Sequence, residues 1–68
     1  MNRIDTCGMS CPQPVLMTKK SLEKYPEGID IVVDNNTAKF NVERFLNSVG
    51  YTATILEKDE LFIIEARK

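Results

Sequence analysis

Ile29-Asp30-Ile31-Val32-Val33-Asp34-Asn35-Asn36-Thr37-Ala38 changes character midway, and that change sets the fold. Residues 29–34 are β-branched and partly alternating, which reads as a strand. Asn35 and Asn36 are candidates to cap a helix, because a short side-chain oxygen there accepts from the unpartnered N–H groups of a first helical turn. Ala38, Val42, Phe45, Leu46 and Val49 then recur at i, i+4, i+7, i+8 and i+11, the strongest helical pattern in the chain. Gly50 fits the left-handed position that ends a helix. Phe40 falls opposite the apolar row, where a single exposed aromatic needs no special role.

Downstream, residues 51–57 and 61–66 read as two strands joined by a hairpin at Lys58-Asp59-Glu60, with Phe62, Ile64 and Ala66 on one face of the last strand. Upstream, residues 2–6 form a short strand candidate with Ile4 pointing inward, and residues 7–10 read as a turn. A helix is expected to begin at Cys11-Pro12, where a proline costs nothing because the first N–H groups have no intrahelical partner. Val15, Thr18, Leu22 and Tyr25 follow at helical spacing, Lys19 and Lys20 face solvent, and Pro26 and Gly28 stop the helix.

The order is β-α-β-α-β-β. A strand–helix–strand unit makes a parallel crossover, and two helices cannot cover both faces of four strands. The expected fold class is therefore α+β: a two-layer βαβαββ sandwich, a four-stranded mixed sheet with both helices on one face. Asp30, Thr52 and Thr54 fit a second face open to water or to a partner.

Sixty-eight residues, 43% apolar and 28% charged, suit one soluble domain spanning 1–68. Nine Lys+Arg against ten Asp+Glu give a net charge of −1, which opposes direct nucleic-acid binding. No apolar run approaches the ~20 residues that span a bilayer, so no membrane role is expected. Arg3 and Asp5 fall where a signal peptide would need an apolar stretch, and the expected compartment is the cytoplasm. The chain has no histidine, so there is no imidazole base and no His metal ligand, and two cysteines cannot make a four-ligand zinc site. No cofactor and no metal are expected. Covalent chemistry, if present, falls to Cys7 and Cys11.

Cys11-Pro12-Gln13-Pro14 is the stretch that carries chemistry. A cysteine at the N-cap faces the positive end of the helix dipole, a setting that lowers a thiol pKa from about 8.5 and enriches the thiolate. Caps accept from the second or third helical residue. The third, Pro14, has no N–H, which leaves Gln13 as the donor, and the two prolines stiffen the turn. The bland alternative is a structural cysteine capping a helix. Cys7 is four positions before Cys11, with Gly8 between them. That turn could bring their Cα atoms within the roughly 4.4–6.8 Å of a disulfide, so Cys7 could resolve a persulfide on Cys11. Its bland alternative is a small residue filling an apolar position.

Ile4-Asp5-Thr6-Cys7-Gly8-Met9-Ser10-Cys11-Pro12-Gln13-Pro14 resembles the signature of the TusA/SirA/YedF family: apolar-Asp-x-x-Gly-x-x-Cys-Pro-x-Pro opening a helix. The continuation through residues 15–22, Val33-Asp34-Asn35 and Gly50-Tyr51 is similar as well, so the resemblance covers essentially the whole chain. Residues 34–42 most resemble the N-terminal domain of YedF-type proteins, which are associated with selenium metabolism. Such proteins often carry a second domain. On that likeness, residues 1–68 correspond to the N-terminal part of a longer two-domain protein or to a stand-alone paralogue. The resemblance implies a sulfurtransferase-like sulfur carrier. Cys11 would take sulfur, or selenium, as a persulfide from a cysteine desulfurase or another persulfide donor and pass it to a downstream acceptor protein. Asp5, Gly8, Pro12, Gln13 and Pro14 would support the site. The motif does not require a cysteine at position 7.

In a parallel βαβ arrangement the strand ends before both helices share one sheet edge, which puts Asp34, Asn35 and Asn36 within reach of Cys11. Capping is their bland role, as a solvated helix face is for Lys19 and Lys20. Three functions compete: a carrier acting through Cys11, a dithiol redox protein using Cys7 and Cys11, and a non-catalytic interaction or regulatory module.

Overall fold

Strand β1 (Arg3–Asp5) leads to helix α1 (Gln13–Lys24), strand β2 (Gly28–Val33), helix α2 (Asn36–Ser48) and the paired strands β3 (Thr52–Lys58) and β4 (Leu61–Arg67). The computed structural model describes residues 3–8 and 13–68. The expected helix start at Cys11-Pro12 and the second half of the expected turn at 7–10 lie outside the described residues.

The sheet order is β1-β2-β4-β3. β1 pairs parallel with β2 through Ile4↔Ile31, and β4 pairs antiparallel with both β2 (Ile31↔Ile64) and β3 (Ile55↔Ile64). Ile4, Ile31, Ile64 and Ile55 therefore form one row across all four strands. Side chains alternate along each strand, so Ile29, Val33, Ala66, Ala53 and Phe62 share the face of that row. Leu22 of α1 and Ala38, Val42 and Leu46 of α2 close over it as one core. The sheet is mixed, and both helices lie on one face.

Several local details depart from the pattern reading. The buried row of α1 is Pro14, Thr18 and Leu22, with Val15 and Tyr25 only partly covered. Thr18 tolerates this position because its hydroxyl donates to the Pro14 carbonyl at 2.8 Å. Gly28 belongs to β2 and does more than stop a helix: a Cβ there would run into the Ala66 carbonyl. Val49 is the C-cap of α2 and is exposed. Gly50 follows with φ +87°. Tyr51 N–H donates to Leu46 O at 2.9 Å and Gly50 N–H to Asn47 O at 3.3 Å, the paired bonds of a Schellman ending. Tyr51 is buried ahead of β3, and its hydroxyl donates to Pro26 O at 2.6 Å.

On the outer face Thr52 and Thr54 are exposed, but Asp30 is only 7% exposed. Arg67 reaches it at 3.1 Å and Arg3 at 3.7 Å, and the two guanidinium groups cover it. No helix among the described residues is long and apolar enough to cross a membrane.

Candidate functional site

β1 ends beside β2, and the chain then turns back toward α1. Thr6 anchors that turn: its N–H and its hydroxyl both donate to the Val32 carbonyl, at 2.9 and 2.7 Å. This polar side chain is buried because both groups have a partner. Asp5 Oδ1 accepts from the Cys7 N–H at 2.8 Å, a turn closed by the side chain two residues earlier. That bond holds the Asp5 carboxyl below its ordinary value. Gly8 has φ +80°, a conformation that favours glycine, and nothing would lie within 4 Å of a Cβ there. Backbone conformation, not crowding, is the reason for glycine at this position.

The same turn meets the β2–α2 junction. Gly8 N–H donates to Asp34 Oδ2 at 2.9 Å. Asn35 is the N-cap of α2, accepting from the Ala38 N–H at 2.7 Å, whereas Asn36 is already helical. The edge argument from the sequence thus placed Asp34 and Asn35 correctly beside the β1–α1 turn. Capping was the bland role it gave Asp34; Asp34 instead holds the turn through the Gly8 N–H. The anchoring by Thr6 left no mark in the sequence, because an isolated threonine in a turn carries no pattern.

Cys7 is a half-buried free thiol. Burial pushes its pKa up from the ordinary 9.0 to about 11, and Asp5, as acceptor and as a nearby charge, adds to this, with Asp34 contributing further. Cys7 is therefore a neutral thiol at physiological pH. Cys11 and Pro12 lie outside the described residues. Gln13 opens α1 and is exposed, and Pro14 is buried beneath that first turn. Lys19 and Lys20 are exposed. Phe40 is 55% exposed, and the Lys39 ammonium lies over its ring at 4.8 Å and over the Phe62 ring at 4.6 Å.

The described part of the arrangement is thus a turn at residues 6–8 tied down by the carboxylates of Asp5 and Asp34. The chain as a whole is similar to known proteins. The profile of the family described as Sulfurtransferase TusA matches residues 2–68. A candidate sulfur carrier protein of Methanocaldococcus jannaschii is 42% identical over 62 residues, covering 88% of this chain and 83% of that one. A candidate sulfur carrier protein of Archaeoglobus fulgidus is 29% identical over 62 residues, covering 88% and 80%. The crystal structure of the SirA-like protein of Desulfitobacterium hafniense superposes with a TM-score of 0.91 at 31% identity, over 98% of this chain and 96% of that one. With a family match over residues 2–68, nearly the whole sequence, the chain belongs to the TusA family of sulfur carriers.

Proposed function

We propose that the protein carries sulfur, or selenium, as a persulfide on Cys11. The cysteine loads from a donor such as a cysteine desulfurase and delivers to a downstream acceptor protein in a reducing cytoplasm. The Cys11 thiolate attacks the terminal sulfur of the donor persulfide. A sulfur–sulfur bond forms at Cys11, the donor's sulfur–sulfur bond breaks, and the donor leaves as a thiolate. The acceptor repeats the exchange on Cys11. Pro12, Gln13 and Pro14 would hold the nucleophile at the helix start, and Asp5 and Gly8 would shape the turn that leads to it.

The observation that carries this reading over the dithiol alternative is the state of Cys7. A resolving thiol must ionise to attack the inner sulfur of a persulfide, and a pKa of about 11 withholds the thiolate. A persulfide on Cys11 would then survive long enough to meet its acceptor.

Mass spectrometry after incubation with a cysteine desulfurase and cysteine tests the reading. The parent and Cys7→Ser should each gain one sulfur atom and hold it equally long, and Cys11→Ser should gain none. Rapid sulfide release from the parent with a Cys7–Cys11 disulfide, absent in Cys7→Ser, would establish the dithiol reading instead. Loading of Cys11→Ser to the parent level would remove both.

A further inference from the structure

The hydrogen bonds at the β2–α2 junction continue past the helix cap. Asn35 spends its Oδ1 on the Ala38 N–H at 2.7 Å and donates through Nδ2 to Asp34 Oδ1 at 2.9 Å. Asp34 uses its other oxygen, Oδ2, to accept the Gly8 N–H at 2.9 Å. The result is one continuous path: first turn of α2, Asn35 amide, Asp34 carboxylate, Gly8 backbone. It joins two segments 26 positions apart, and it ends three positions before Cys11 in the sequence.

We infer that Asp34 is a positioning residue for Cys11: its carboxylate clamps Gly8, three positions before Cys11 in the sequence, to the capped start of α2. The inference rests on the carrier reading for its consequence, but the clamp is defined by geometry alone. A carboxylate suits the place because both of its oxygens are acceptors, and here two donors converge on it from different sides. Asn35 in turn cannot rotate freely, because its own oxygen is engaged in the cap. Gly8 has the left-handed φ that lets the chain turn at this point, yet glycine is the residue with the most conformational freedom. Its N–H is where a tether acts on the loop most directly. Thr6 holds the upstream half of the turn to Val32, and Asp5 closes it locally on Cys7. Among the described residues, Asp34 is the group that ties Gly8 to the second helix.

The clamp is tested in a Cys7→Ser background, where Cys11 is the one remaining thiol. Asp34→Ala removes both acceptors, and Asp34→Asn keeps one that can still take the Gly8 N–H. Three readouts are followed: amide exchange at Gly8, the alkylation rate of Cys11, and the rate of persulfide loading. Asp34→Ala should exchange Gly8 about fivefold to tenfold faster, the population change that loss of one net hydrogen bond produces. It should load Cys11 more slowly by a similar factor, with exchange in β4 unchanged. Asp34→Asn should recover most of both effects. Parent-like Gly8 exchange in Asp34→Ala overturns the clamp. Parent-like loading overturns its role in positioning, and so does an Asp34→Asn variant as slow as Asp34→Ala, which would assign the effect to charge. If the parent does not load at all, the carrier reading falls separately. Gly8 exchange and Cys11 alkylation then still decide the clamp.

Discussion

Cys7 and Asp5 show how one backbone hydrogen bond can set the chemistry of a neighbouring side chain. The Cys7 N–H closes onto Asp5, and the same carboxylate then faces the Cys7 thiol. A thiolate would have to form half-buried and against that charge, so the proton stays. With a pKa of about 11, only about one molecule in a thousand carries the thiolate at pH 8, against about a tenth for a thiol at the ordinary 9.0. In Cys11→Ser, alkylation of Cys7 should rise about tenfold per pH unit from 7 to beyond 10. A plateau near pH 9 would contradict the assignment. Asp5→Asn should move the curve toward lower pH. The same shift has a consequence for stability. The folded state holds the thiol proton more tightly than the unfolded state, so this contribution is complete below about pH 9 and is lost as the pH rises toward 11.

The hairpin between β3 and β4 departs from its preferred chemistry. Lys58 pairs with Leu61, which leaves a loop of two residues, Asp59 and Glu60, with φ +52° and +67°. Such turns match the twist of the strands but favour glycine or asparagine, and a left-handed glutamate costs about 1–2 kcal/mol. Glu60→Gly should therefore raise stability by roughly 0.5–1 kcal/mol in urea unfolding, the gain being reduced by glycine's freedom in the unfolded chain. The sequence located this turn and every other element, because period and turn residues are local signals. It placed the loop one residue too long, because the last strand pair depends on a register that only the partner strand supplies. For the same reason it marked Asp30 as open. Its position on the outer face follows from alternation, but Arg3 and Arg67, which cover it, come from other strands. Asp34 belongs to this class as well: its donor lies 26 positions away.

The whole molecule is a single layer of two helices on one side of a sheet, and its stability must come almost entirely from the seam between them. A chain of this length has about 3–10 kcal/mol to lose. Leu46 reaches the seam from α2 and is fully buried against the isoleucine row, while Leu56 stands on the opposite face of the sheet, 47% exposed. Leu46→Ala deletes atoms that the surrounding side chains cannot replace and should cost about 2–5 kcal/mol. That is enough to bring the domain close to its unfolding midpoint at room temperature. Leu56→Ala removes surface that water already reaches, and about 1 kcal/mol or less is expected. Urea unfolding of the two variants measures the contrast directly. Equal losses would mean that the outer face is as well packed as the inner one, and the two-layer account of the fold would fail. A large gap would put the stabilising burial of this pair on the inner face. Gly8 and Asp34 lie at the sheet edge from which α2 starts, away from the seam, so a change at their hydrogen bond leaves the packing of the isoleucine row untouched.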